Sequence, residues 1–220
     1  MNSSHQRKDL RKMIKPFGTH YLSPTKEFRR FSVLLSIHDT PDTSQHTIGK
    51  NAHLSSSMVN NYIKQFKGEG LITVSGNTNR TQRYHLTREG HQALRESLLS
   101  YSTEIVQLFG SVKQEIAKIL GGYYEEGIRT IALFGAAETA EVAHAAIKKT
   151  QLVMIGVVDS DPQKQGKPFN GLLIQPPEEL KRIQPDAVVI TSFARQREIE
   201  KSIRQYISKK TKVKKLSELT

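Results

Sequence analysis

A run of short polar and basic side chains between residues 55 and 67 has the chemistry of a nucleic-acid contact. Its members are hydroxyls, amides and lysines: Ser55, Ser56, Ser57, Asn60, Asn61, Lys64 and Lys67. Hydroxyls and amides hydrogen-bond to base edges, and lysines contact phosphates. Because no acidic residue lies between Asp42 and Glu69, nothing in this stretch repels a polyanion. We predict that Asn60 and Asn61 read bases and that Lys64 contacts phosphate.

The apolar residues of the same stretch predict the helix that positions this polar set. Val59, Ile63 and Phe66 recur at helical spacing, and residues 48–54 fit a shorter helix followed by a turn. The polar residues fall on the opposite side of the second helix, which we expect to run over 55–66. Two short helices with one polar face are therefore predicted.

A hairpin is predicted directly after this helix. Gly70 ends the helix in the left-handed conformation, residues 71–74 and 83–86 are typical of strands, and turn-forming residues lie between them. Thr87 is a candidate N-cap for a further helix. The tip and second strand of the hairpin present Asn77, Asn79, Arg80 and Arg83.

This order of elements resembles the winged-helix transcription regulators of the multiple-antibiotic-resistance type. The resemblance depends on E-G-L-I at 69–72 and Y-H-L-T-R-E-G at 84–90, and it covers roughly 26–98. It implies that double-stranded DNA is the partner, with the polar helix in the major groove and the hairpin on the minor groove or backbone. The alternatives are a winged helix used for protein contacts and a solvated polar face.

Charge and composition favour the nucleic-acid interpretation. The chain has 33 Lys and Arg, 21 Asp and Glu, a net charge of +12 and a pI near 9.8. Residues 1–96 hold 15 basic and 7 acidic residues, and the basic segment 1–24 is either a further phosphate contact or a solubility tail. Without cysteine there is no disulfide or cysteine-ligated zinc. We expect a cytoplasmic protein with no membrane span, metal site or catalytic residues.

A long apolar stripe follows the winged helix. Residues three or four apart form a heptad-like pattern: Leu98, Tyr101, Ile105, Leu108, Val112, Ile116 and Ile119. We expect Gly121 and Gly122 to stop this helix and Gly110 to break it. The stripe requires a partner, which is either a second subunit or the following domain. A homodimer is favoured because helix-turn-helix proteins commonly bind two half-sites.

The second half of the chain has the pattern of a Rossmann-like unit. Strands at 130–134 and 152–158 flank a glycine turn and a helix, and an acid, Asp159, follows the second strand. Further strands at 172–174 and 187–191, with helices between and after them, predict a small doubly wound parallel sheet. The candidate nucleotide-binding residues are Gly135, Ala136, Ala137, Glu138, Asp159, Thr191 and Ser192. The basic tail 209–215 is either an edge strand, which we favour, or a second DNA contact.

The segment V-V-D-S-D-P-Q-K-Q-G at 157–166, with P-E-E-L at 177–180, resembles nucleotide-binding domains of polysaccharide-biosynthesis epimerases and sugar acyltransferases. The resemblance spans roughly 128–207 and implies a nucleotide or nucleotide-linked ligand, with NAD(H) as one case. Ala137 replaces the glycine that lets pyrophosphate approach the backbone, and Glu138 competes with an anion at the helix terminus. An assembly domain is the alternative.

We therefore expect an α/β two-domain chain with a winged helix at 25–97, a connector helix at 98–127 and a Rossmann-like domain at 128–220. The predicted function is a DNA-binding transcription regulator, without enzymatic activity, whose second domain senses a small-molecule effector or mediates assembly. The rival is an enzyme or accessory factor of surface-polysaccharide metabolism that uses the winged helix as a protein adapter.

Overall fold

The computed structural model describes residues 24–78, 81–192 and 195–216. The chain divides into two compact units, 1–105 and 106–220, and one long helix runs through the division. The predicted Asn79 and Arg80 and nearly all of the segment 1–24 lie outside the described residues.

The first unit is the expected winged helix. Its elements are α1 (Lys26–Asp39), α2 (Gln45–Ala52), α3 (Ser56–Gly68), β1 (Ile72–Ser75), β2 (Arg83–Leu86) and the first part of α4 (Arg88–Glu125). β1 and β2 form the antiparallel hairpin, with Ile72 opposite Leu86 and Ser75 opposite Arg83. Gly70 has the predicted positive φ, 71°.

Hydroxyl caps begin the helices of this unit. Thr25, Ser44, Ser55 and Thr87 each accept a hydrogen bond from the backbone N–H three residues later. Such caps satisfy an N–H group that the helix itself leaves unpaired, and each contributes about 1 kcal/mol. The predicted cap at Thr87 is confirmed. Behind the caps, the apolar sides of α1 and α3 pack with the hairpin into one buried core.

The long helix α4 corrects one expectation. We expected a break at Gly110 and a stop at Gly121 and Gly122, but α4 is continuous over 38 residues. A glycine inside a helix costs about 1 kcal/mol relative to alanine. Burial of Leu120 and Tyr123 in the core of the second unit outweighs this cost. The helix ends before Gly127, which has φ 88°.

The second unit is a mostly parallel sheet. Its elements are β3 (Thr130–Phe134), α5 (Glu138–Ile147), β4 (Val153–Val158), β5 (Pro168–Phe169), β6 (Leu172–Gln175), a 3-10 turn (Pro177–Glu179), α6 (Leu180–Ile183), β7 (Ala187–Ile190), α7 (Gln196–Ile203) and β8 (Lys212–Lys215). The strand order is β5-β6-β4-β3-β7-β8, and only the β5–β6 pair is antiparallel. The tail therefore forms the predicted edge strand, parallel to β7.

Helices cover both faces of this sheet, so the expected doubly wound fold is confirmed. The end of α4 and the alanine side of α5 pack on one face. α6 and α7 pack on the other face, against Ala132, Phe134, Val158 and Val188. Chain order runs outward from β3 toward both edges, so the direction of winding reverses between β3 and β7. Doubly wound sheets bind ligands at the carboxyl ends of strands at such a reversal.

Candidate nucleic-acid interface

The exposed side of α3 collects the polar residues that the sequence predicted. Val59, Tyr62, Ile63 and Phe66 are buried on the opposite side of the helix. Residues at 55, 56, 57, 61, 64 and 67 are exposed, and Asn60 is half-buried at the edge of the same side. The structure thus brings these hydroxyls, amides and lysines together on one continuous helix surface.

The start of α3 adds a favourable electrostatic contribution. Ser55 Oγ accepts from the N–H of Met58 at 3.4 Å and lies 3.1 Å from Ser57 Oγ. The first turn contains no acidic residue. Backbone N–H groups at a helix N-terminus carry partial positive charge and favour an anion such as phosphate.

α2 contributes basic residues that the sequence analysis missed. A groove of about 580 Å³ lies between α2 and the start of α3, and its lining includes His46, Lys50 and His53, all exposed. Gly49 permits this close packing, because a Cβ there would lie 2.9 Å from the carbonyl oxygen of Leu54. The available signal was the spacing of His46 and Lys50, four residues apart on a helix without acids.

The acidic residues that border this surface are each held by a basic partner. Asp42 Oδ1 lies 3.0 Å from Nε2 of His85. Glu69 accepts two hydrogen bonds from Arg30, whose guanidinium also stacks 4.7 Å above the Phe66 ring. The hydrogen bonds from Arg30 hold the pKa of Glu69 below its usual value. The charge of Glu69 is therefore compensated by Arg30, whereas Asp42 contacts an imidazole.

The hairpin is fixed to α2 by a buried tyrosine. Tyr84 is fully buried, its hydroxyl donates to Gln82 Oε1 at 2.8 Å, and it accepts from Gln45 Nε2 at 2.9 Å. Asn77 is exposed on the wing, whereas Arg83 is half-buried and donates to the carbonyl of Gln82. Of the predicted wing contacts in the described part of the chain, Asn77 is thus the more accessible.

In the second unit, the candidate nucleotide-binding residues meet at the carboxyl ends of β3, β4 and β7. Gly135 has φ 104°, and a Cβ there would lie 2.7 Å from Thr191 Oγ1. The buried Thr191 hydroxyl contacts the carbonyl oxygens of Phe134 and Gly135 at 2.9 and 2.8 Å. Ala137 precedes α5 without a side-chain cap, and Glu138 is exposed. Ser192, beside Thr191, is half-buried.

Asp159 lies at the centre of this region and is buried. Its carboxylate accepts from the N–H of Ala136 at 2.7 Å, from the N–H of Asp161 at 2.9 Å and from Lys164 Nζ at 3.0 Å. Burial raises the pKa of Asp159, but the hydrogen bonds from Asp161, Ala136 and Lys164 lower it by a larger amount. The net shift of the pKa is therefore downward. The side chain thus joins the turn after β3 to the loop after β4.

Replacing Asp159 by asparagine should destabilise the second unit in a pH-dependent manner. The folded pKa is below the unfolded value, so the charged carboxylate stabilises the fold above the unfolded pKa and the effect is lost as pH falls through the folded pKa. We expect a loss of about 1–3 kcal/mol at neutral pH, since charge-assisted hydrogen bonds are removed. Thermal unfolding of both proteins between about pH 7 and about pH 3 measures this. A difference in stability that does not shrink toward low pH would contradict the assignment.

A metal-ligand cluster and a membrane-spanning helix are both absent from the described residues. Those residues contain no group of three or more His, Asp or Glu side chains that could hold a metal ion. None of the helices formed by them is long and apolar enough to cross a membrane.

Family comparisons divide the chain in the same order as the fold. Residues 28–79 match the MarR family, and residues 127–214 match the family described as C2185-like, N-terminal. The chain thus contains a segment similar to the MarR family, followed by a segment similar to the C2185-like family. No curated protein is significantly similar to the chain.

Solved structures of three regulators, two of them described as MarR or MarR-family proteins, align with part of the chain. Bordetella bronchiseptica BpsR, whose DNA binding is regulated by 6-hydroxynicotinic acid, is 20% identical over 47% of this chain and 77% of its own, with TM-score 0.33. A Rhodococcus MarR-family regulator is 17% identical over 37% of this chain and 59% of its own, with TM-score 0.34. The chain therefore spans less than two thirds of that regulator. Staphylococcus aureus MarR, in complex with salicylate and kanamycin, is 16% identical over 49% of this chain and 66% of its own, with TM-score 0.34.

Proposed function

We propose that this protein is a DNA-binding transcription regulator that places α3 in the major groove of duplex DNA. The observation that carries this proposal is the exposed side of α3, where serines, asparagines and lysines lie together without an acidic residue. The match of residues 28–79 to the MarR family supports it. The ion pair between Arg30 and Glu69 at the border of this surface supports it further.

The chemistry of each group suggests its role. Asn60 and Asn61 have the donor and acceptor pair that recognises adenine, and Ser55, Ser56 and Ser57 are suited to bases or phosphates. Lys64, Lys67 and Arg83 would contact phosphates, with Lys50 of α2 and the wing, which includes Asn77, beside them. These contacts fix the position on DNA, while the asparagines supply sequence preference.

Replacing Lys64 by alanine should weaken binding to every duplex sequence. A lysine that neutralises one phosphate releases counterions, so its loss should reduce the slope of log K against log salt by about 0.9. Fluorescence anisotropy with random-sequence duplex over a salt series measures this. Lys148→Ala is the matched control, because Lys148 is equally exposed but lies at the end of α5. If the Lys64 and Lys148 variants have equal slopes of log K against log salt, Lys64 does not contact DNA.

We further propose that the protein acts as a homodimer through the middle of α4. Leu99, Ile105, Val106, Leu108, Phe109 and Val112 are large apolar side chains that remain exposed on this helix. Contiguous exposed apolar surface of this kind marks an interaction site. A two-fold partner would cover it and would present two recognition helices to two half-sites of DNA.

For the second domain, we propose a nucleotide or nucleotide-linked effector at the carboxyl ends of β3 and β7. Support comes from the winding reversal, the glycine turn at Gly135, which has φ 104°, and the uncapped start of α5. Asp159 would then shape the binding loops rather than hold a ribose, because its oxygens already accept three hydrogen bonds. Thermal shift with NADH, ATP, nucleotide sugars and coenzyme A tests this, since ligand at about 100 times Kd stabilises by about 2.7 kcal/mol. If none of them stabilises the protein, an assembly role is favoured instead.

A further inference from the structure

The positive charge of the second unit is concentrated in its last elements. Residues 181–216, from α6 to β8, contain eleven Lys and Arg but three Asp and Glu. Residues 106–180 contain seven basic and nine acidic residues. The basic character of this unit is therefore local in sequence and belongs to its last elements, α6 to β8.

The lysines of β8 are already engaged within the fold. Lys214 Nζ lies 2.7 Å from a Glu126 carboxylate oxygen, and Lys212 contacts the same carboxylate at 3.6 Å. Lys215 pairs with Glu200 at 2.6 Å. These three cations hold the edge strand in place, so the surface charge that remains available comes from α7 and the turn before β8.

One side of α7 presents a row of cations. Arg197 and Lys201 lie four residues apart on α7, and Arg204, the C-cap residue with helical backbone angles, follows three residues later. The three therefore share a face, and all three are exposed. Ile203 is buried on the opposite side of the helix, against the sheet. Of the two acidic residues of α7, Glu198 pairs with Arg195 at 2.8 Å, and Glu200 pairs with Lys215 and also interacts with Arg204.

The turn at 208–211 adds two lysines in a fixed position. Ser208 Oγ accepts from the N–H groups of Lys210 and Thr211 at 3.2 Å, and Thr211 Oγ1 donates to the carbonyl of Pro185 at 3.1 Å. Lys209 and Lys210 occupy the two central positions of this turn and are exposed. Tyr206 and Ile207, just before the turn, pack on the same core as α7.

We propose that these five residues, Arg197, Lys201, Arg204, Lys209 and Lys210, form a second phosphate-binding surface for the backbone of duplex DNA. This α7 surface rests on the proposal that DNA is the ligand of the winged helix, and it adds a separate contact by the second unit. Two DNA contacts on one chain reinforce each other, because binding by the first raises the local DNA concentration for the second.

The side chains around the α7 surface favour duplex backbone over other anionic partners. Membrane-surface helices combine basic residues with exposed large apolar side chains, and single-stranded nucleic acid is bound by stacking on exposed aromatic rings. Among the described residues from 195 to 216, no large apolar side chain is exposed, and Tyr206 is half-buried beside Glu178. A rigid row of cations without apolar or stacking groups suits the regular phosphates of a duplex.

Two double variants of the full chain test this surface. We expect Lys201→Ala with Arg204→Ala, and separately Lys209→Ala with Lys210→Ala, each to reduce the salt slope of duplex binding by about 1.8, or 0.9 per lost contact. The matched control is Lys148→Ala with Lys149→Ala, an exposed lysine pair after α5 on the other face of the sheet. The control should bind with the wild-type slope, and circular dichroism confirms that each variant is folded.

The outcomes separate this inference from the proposed function. If both double variants keep the wild-type slope while Lys64→Ala reduces it, the α7 surface is not a DNA contact and the winged-helix proposal stands. If the wild type does not bind duplex DNA, both proposals fail. Loss of binding to phosphatidylserine vesicles in the double variants, with unchanged DNA binding, would also overturn the inference in favour of a membrane partner.

Discussion

Alanine at position 90 should disrupt the winged helix, although alanine is the better helix former. Gly90 lies in the first turn of α4, and a Cβ there would lie 2.0 Å from the carbonyl oxygen of Leu71. That carbonyl accepts the N–H of Thr87 at 3.0 Å, so it cannot move away without breaking this bond. Overpacking against backbone of this kind should destabilise the unit by about 3 kcal/mol.

Gly122→Ala is the control for this prediction because it lies in the same helix. A Cβ at Gly122 would have no neighbour within 4 Å, and the residue is exposed. Alanine there should stabilise the chain by about 1 kcal/mol. Urea unfolding followed by circular dichroism compares the two variants. If Gly90→Ala is as stable as Gly122→Ala, the packing of α4 against the strand start at Leu71 is not as described.

Arginine at position 109 should dissociate the proposed homodimer. The side chains of Ile105, Phe109 and Val112 are 39%, 44% and 42% exposed on one side of α4. Covering the exposed 44% of Phe109 contributes about 1 kcal/mol. An arginine in its place must also be desolvated, at a cost of about 1 kcal/mol or more, and two-fold symmetry counts each residue twice. Phe109→Arg should therefore weaken dimerisation by about 4 kcal/mol, which is about a thousandfold in Kd.

Sedimentation equilibrium of wild type, Phe109→Arg and Gln107→Arg measures this effect. Gln107 is exposed on the opposite side of the helix, so its replacement by arginine adds the same charge without touching the apolar stripe. We expect the Gln107 variant to sediment as the wild type does. A wild-type protein that is monomeric at micromolar concentration would contradict the proposed homodimer.

The winged helix could be predicted because its signals are local. The spacing of Val59, Ile63 and Phe66, the left-handed Gly70 and the cap at Thr87 each specify a neighbouring bond or packing face. Because these local signals agree with one another, the order of helices and strands could be predicted from the sequence. The second sheet was predictable for the same reason, since its strands are short apolar runs separated by turn residues.

The predictions from sequence failed or were incomplete where contacts between residues far apart in the chain determine the local structure. Glycine propensity argued for a helix stop at Gly121, but burial of Leu120 and Tyr123 in the second core keeps α4 intact. The hydrogen bonds of Asp159 could not be predicted from the sequence, because they depend on how the loops after β3 and β4 meet. The tail was predicted as an edge strand, but the partner of its Lys214 could not be, because Glu126 lies 88 residues earlier. The basic residues of α2 were missed because their place in the interface depends on how α2 packs against the start of α3.

The binding of full-length wild-type protein to random-sequence duplex DNA tests the central proposal most directly. Lys64, Lys67 and one basic residue of α2 or the wing would give at least three phosphate contacts. We therefore expect binding at about 50 mM salt that weakens by about 40-fold or more at about 200 mM, from a slope of about −2.7. Absence of binding at low salt, or affinity that does not change with salt, would contradict DNA recognition and favour a protein-adapter role for the winged helix.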